Sequence, residues 1–124
     1  MIGIIDYNMG NLASVYNACK LIDADATIVK NPEDLKKFNR VILPGVGAYK
    51  DAMEHLIQTG MNEAVYEFAK TGKPMIGICL GMQLLFESSQ EFGHSDGLGL
   101  IDGHVIKFDK SKMHADFKIP HMGW

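Results

Sequence analysis

Cysteine, tryptophan and surplus positive charge are all scarce here. Two cysteines, Cys19 and Cys79, are too few for a disulfide scaffold and read as free thiols in a cytoplasmic chain. No apolar run approaches the roughly 20 residues that span a bilayer. The first residues, Met1-Ile2-Gly3-Ile4-Ile5-Asp6, lack a basic start and meet an acid at once, unlike a signal peptide. A net charge of -3 argues against nucleic acid as the main partner, because phosphate binding needs a basic face. Lys36 and Lys37 form the only adjacent basic pair and read as a solvated helix face. Internal repeats and low-complexity stretches are absent as well.

What is present is the balance of a globular chain, 47% apolar and 22% charged over 124 residues. That length predicts one domain over 1–124 with one core. Short β-like apolar runs alternate with helical patterns. Strands are expected at Ile2–Asp6, Ala26–Lys30, Arg40–Leu43 and Met75–Ile78. Leu12, Val15, Tyr16, Cys19 and Ile22 recur at helical spacing, which places Cys19 in the core. Asn31-Pro32-Glu33-Asp34 has the make-up of a helix start. The stretch 49–72 carries two helical patterns broken near Gly60, Leu80–Phe92 reads as a further helix, and Gly103–Phe108 as an antiparallel or edge strand. Strand–helix–strand units of this length predict an α/β fold, a mostly parallel sheet with helices on both faces.

The strongest local signal is Gly77-Ile78-Cys79-Leu80-Gly81, the cysteine version of the G-x-S-x-G nucleophile elbow. A strand ends, the chain turns tightly, and a helix begins, so the sulfur stands above the sheet edge. The helix N–H groups are expected to face that sulfur and favour the thiolate. The backbone N–H of Leu80 then lies where an oxyanion would form. A second donor is expected from Pro44-Gly45-Val46-Gly47, which leaves a neighbouring strand at the same rim. A lone cysteine is more often an inert core thiol; the glycine frame at a strand-to-helix junction is what reverses that reading for Cys79.

Pro44-Gly45-Val46-Gly47 together with Gly72-Lys73-Pro74-Met75-Ile76-Gly77-Ile78-Cys79-Leu80-Gly81-Met82-Gln83-Leu84-Leu85 resembles the glutaminase domain of class I, triad-type glutamine amidotransferases. The opening Ile4–Leu12, the Pro-Gly-Val-Gly-Ala loop and Ile119-Pro120-His121-Met122-Gly123-Trp124 are similar to one branch, the glutaminase subunits of imidazole glycerol phosphate synthases. The resemblance implies a flavodoxin-like fold. It also implies attack of the cysteine thiolate on the side-chain amide of glutamine, release of ammonia, and hydrolysis of the γ-glutamyl thioester. The ammonia passes to a (β/α)₈-barrel cyclase subunit that makes imidazole glycerol phosphate in histidine biosynthesis. No cofactor is implied.

Carried over residue by residue, the resemblance implies Cys79 as nucleophile and Leu80 as one oxyanion donor. Gly47, with Val46 beside it, belongs to the loop supplying the other. Gln83, one turn after the nucleophile, and Glu91 match residues that hold the glutamine substrate. Asn11, Met122 and Trp124 match the surface facing the cyclase. The family's histidine and glutamate, and its last strands, are expected beyond Trp124, so these 124 residues are expected to be inactive by themselves. None of the five histidines (His55, His94, His104, His114, His121) stands in the family's catalytic context, and no metal site is expected. Two readings compete. One is an ammonia donor for a related sugar-amidation pathway, and the other is a non-catalytic partner-binding module of the same fold.

Overall fold

The computed structural model describes residues 1–90 and 93–106. Strand β1 (Ile2–Ile5) leads into α1 (Leu12–Leu21), then β2 (Ala26–Val29), a 3₁₀ helix (Pro32–Lys37) and β3 (Arg40–Leu43). Helices α2 (Tyr49–Thr59) and α3 (Met61–Lys70) follow, then β4 (Met75–Gly77) and α4 (Leu80–Leu84). Strands β5 (Phe86–Ser89), β6 (Ser95–Asp96) and β7 (Ile101–Val105) complete the described part.

The first four strands form one sheet in the order β2-β1-β3-β4, and every pairing is parallel. Each crossover carries helical chain, as short apolar strands separated by amphipathic segments require. The register sorts the apolar residues by face. Ile5, Val29, Val41 and Leu43 join one core cluster with Leu35, Phe38, Leu56, Met61, Val65 and Phe68, the contributions of the 3₁₀ helix, its C-cap, α2 and α3. Each fully buried side chain of this kind is worth roughly 1.5–3 kcal/mol. Ile4 is also fully buried but stands outside that cluster, on the opposite face, where α1 packs and buries Cys19. Helices therefore cover both faces, and Cys19 is core as its spacing predicts.

Local chemistry explains the boundaries. Asn11 caps α1, its side chain accepting from Ser14 N–H at 3.2 Å. Asn31 caps the next helix, accepting from Glu33 N–H at 3.0 Å with Pro32 in the first turn. The start signal is correct, but the element is a 3₁₀ helix. Gly60, at φ 77°, separates α2 from α3 at the predicted break.

One expectation fails and another is met only in part. The helix expected over Leu80–Phe92 ends at Leu84, and the chain turns into β5. Carbonyls that a continued helix would pair with amides four residues on are taken by a distant segment instead. Leu98 N–H donates to Leu84 C=O at 2.8 Å, Leu100 N–H to Leu85 at 2.8 Å, Gly99 N–H to Phe86 at 2.9 Å and Gly97 N–H to Glu87 at 2.8 Å. The strand expected at Gly103–Phe108 is β7, which begins at Ile101 and stands at the edge of a second, three-stranded sheet. It runs parallel to β5 rather than antiparallel.

Candidate active site

The rim where β3 and β4 end gathers the unusual backbone. Leu43 pairs with Gly77, so both strands release their chains side by side. Ile78 N–H still donates to Leu43 C=O at 3.0 Å. One residue later Cys79 adopts φ 54° and ψ -121°, a strained conformation for any residue with a Cβ. Its carbonyl accepts from Met82 N–H at 3.0 Å and Gln83 N–H at 3.3 Å, which closes the first turn of α4. The thiol is exposed.

The flanking glycines are needed for close approach. A Cβ on Gly77 would lie 2.6 Å from Met82 Cα, and one on Gly81 would collide with the Leu43 carbonyl oxygen. Backbone of the elbow, its helix and the β3 rim pack with no room for a methyl group, which is the geometric content of the Gly-x-Cys-x-Gly signature.

The loop Pro44–Gly47 lies directly against this elbow. Pro44 and Gly45 are buried, while Val46 and Gly47 are exposed and Gly47 takes φ 101°. Leu80 N–H, expected to be open to an oxyanion, donates to the Gly45 carbonyl at 3.2 Å. The loop is thus joined to the elbow by a carbonyl aimed at the donor. Gly45 did not stand out from its neighbours in sequence, and only the folded rim reveals its place. Gln83 sits half-buried on α4, one turn after Cys79. That helix is five residues long, so the field it directs at the sulfur is shorter than the one expected from a helix running to Phe92.

Other predicted site residues fall elsewhere. Asn11 is exposed at the start of α1 and serves as its cap. Glu91, Met122 and Trp124 lie outside the described residues, as do His114 and His121. Of the described histidines, His94 pairs with Asp96 at 2.8 Å, and His104 lies 2.6 Å from Ser88 Oγ and 3.4 Å from a Glu87 carboxylate oxygen. His55 is on α2, half-buried. No histidine bonds Cys79 among the described residues. No cluster of three or more metal-ligating side chains occurs among them either. No helix among them is long and apolar enough to cross a membrane.

A strained cysteine at a strand-to-helix turn, on the rim of a parallel sheet with a glycine loop beside it, gives this α/β protein the backbone geometry of an elbow. The family model described as glutamine amidotransferase class-I matches residues 3–124, and the chain belongs to that family. It is 62% identical to the imidazole glycerol phosphate synthase subunit HisH of Wolinella succinogenes, over all of this chain and 60% of that one. With the subunit of the same name from Sulfurimonas denitrificans it shares 60% identity, over all of this chain and 60% of the other. The chain therefore spans about 60% of the length of these curated relatives. A crystal structure of a glutamine amidotransferase superposes with a TM-score of 0.72 at 21% identity, covering 85% of this chain and 55% of that one. That likeness bears on the fold.

Proposed function

We propose that this single-domain chain carries the nucleophile half of a cytoplasmic glutaminase that feeds ammonia to a (β/α)₈-barrel cyclase partner making imidazole glycerol phosphate. The observation that carries the reading is the Cys79 elbow with Leu80 N–H facing the Pro44–Gly47 loop. The relatives named as imidazole glycerol phosphate synthase subunits favour this acceptor over other amidation pathways. The Cys79 thiolate attacks the amide carbon of glutamine, the oxygen becomes an oxyanion, and ammonia leaves with a proton from a general acid. Water then cleaves the thioester to glutamate. Gln83 is assigned to holding the glutamine substrate, Glu91 to its α-amino group, and Asn11, Met122 and Trp124 to the partner surface.

The oxyanion site is closed in this arrangement, because the Gly45 carbonyl occupies Leu80 N–H. Turning the Gly45–Val46 peptide withdraws that oxygen and brings Val46 N–H round to the same side. The site then has two donors, Leu80 and Val46, with Gly45, which has no Cβ, taking up the change in ψ. A base for the thiol is also required. Among the described histidines, His94 and His104 are engaged elsewhere and none bonds Cys79, so the base is expected outside the described residues.

Intact mass before and after exposure to a diazo-ketone analogue of glutamine tests the reading. One adduct on Cys79, absent in Cys79→Ser and blocked by excess glutamine, is the expected result when the chain is complexed with its partner. Labelling that glutamine does not block would remove the glutaminase assignment.

A further inference from the structure

Tyr7 is fully buried, yet it ends in a hydroxyl. It lies just beyond β1, and because β1 pairs with β3, the chain leaving β1 runs beside the chain leaving β3. There the Tyr7 hydroxyl donates to the Pro44 carbonyl at 2.7 Å. Packing alone would be served by phenylalanine; a buried hydroxyl is tolerated because this bond satisfies it. Burial also raises the phenol's pKa above its ordinary value, so the hydroxyl stays a donor across the physiological range.

Pro44 is the residue at which the chain leaves the β3 ladder for the oxyanion loop. Its carbonyl belongs to the Pro44–Gly45 peptide, whereas the carbonyl on Leu80 N–H belongs to the next peptide, Gly45–Val46. The α-carbon of Gly45 joins the two. A Cβ there would lie 2.7 Å from Tyr7 Oη and 2.8 Å from Gly81 N, so Gly45 is clamped between the phenol and the elbow.

We infer that Tyr7 is a positioning residue for the oxyanion loop: its hydroxyl pins the Pro44–Gly45 peptide, so that loop rearrangement is confined to the single peptide beyond Gly45. Without the tether, the Pro44 carbonyl is buried and unpaired, and the whole segment from Pro44 moves together. The Gly45 carbonyl then leaves Leu80 N–H more often. This role presupposes the oxyanion assignment above, but its test needs no glutamine, so either can fail without the other.

The test is amide hydrogen exchange by NMR on the full chain and on Tyr7→Phe. Leu80 N–H should exchange roughly five- to tenfold faster in Tyr7→Phe, the size one buried hydrogen bond commands. Ile4 and Ile5, in β1, should stay within about twofold, because their ladder is untouched. Placing 4-aminophenylalanine at position 7 restores a donor and should return Leu80 to its original rate. Unchanged exchange at Leu80 overturns the proposal. So does an equal acceleration at Ile4 and Ile5, which would mean general destabilisation. Should Tyr7→Phe fail to fold, the unmodified chain decides: the ¹³C-labelled Pro44 carbonyl must shift between H₂O and D₂O, and no shift overturns the tether.

Discussion

At the scale of single residues, burial and hydrogen-bond satisfaction separate side chains that look alike in sequence. Tyr7 and Tyr49 are both buried tyrosines near the rim, but only Tyr7 has a partner for its hydroxyl. Tyr49 Oη has none among the described residues. Gly97 must be glycine beside it, since a Cβ there would overlap that oxygen. Burial, reinforced by the nearby charge of Asp96 and by Tyr66, pushes the Tyr49 phenol up to about 12. The sign follows from linkage. The folded form holds the proton more tightly than the unfolded chain, whose tyrosines titrate near 10, so this contribution is complete below pH 10 and is lost as pH rises towards 12. Tyr49→Phe should therefore flatten the alkaline fall in stability. At pH 7 it should be neutral or stabilising by up to about 1 kcal/mol, because an unpaired buried hydroxyl disappears. Urea midpoints at pH 7 and pH 11 check both statements, and a loss at pH 7 would mean that the hydroxyl has a partner after all.

Among the elements, caps and strand registers decide which functional labels compete with structural ones. Asn11 is proposed to face the partner, but its side chain closes the N-terminus of α1. The two roles separate by substitution. Asn11→Ala removes the cap and should cost about 1 kcal/mol, read as a drop in urea midpoint. Asn11→Ser keeps a capping oxygen and should stay within a few tenths of a kcal/mol. Titration of the proposed cyclase partner with the Ser variant then isolates the interface. Weaker binding at unchanged stability supports the partner role, and full affinity limits Asn11 to capping. The same competition shortened α4. Leu80, Leu84 and Leu85 are all buried and helical in spacing, which makes a long helix the natural reading. The carbonyls of residues 84–87 were instead captured by amides of residues 97–100. Sequence separation hides that exchange.

For the molecule as a whole, the two faces of the main sheet are unequal. Ile28, Ile4, Ile42 and Ile76 are register partners and form one row across all four strands. Ile4 is fully buried, but Ile28 remains 41% and Ile76 60% exposed, with Ile78 beside them at 36%. Strand β4 also ends the sheet among the described residues, leaving an edge next to an apolar patch. The isolated chain should therefore self-associate as its concentration rises. Ile76→Lys should lower that tendency without unfolding the chain, since the side chain is already mostly in solvent. Sedimentation velocity over a concentration series decides it. A wild-type chain that stays monomeric throughout would mean that this face is too small to drive association.

The amino-acid sequence by itself determined the order of elements from β1 to β4, the break at Gly60, the core position of Cys19 and the cysteine elbow. Each of these rests on local chemistry: strand-length apolar runs, helical spacing, caps, and glycines without which the turn at Cys79 would clash. Tertiary structure alone decided where α4 stops, that β7 runs parallel to β5, that Leu80 N–H faces a carbonyl rather than an open oxyanion site, and that Tyr7 reaches Pro44. These depend on contacts between residues 10 to 37 positions apart. A backbone amide or carbonyl has the same capacity wherever it stands along the chain, so only the folded arrangement selects which one it meets.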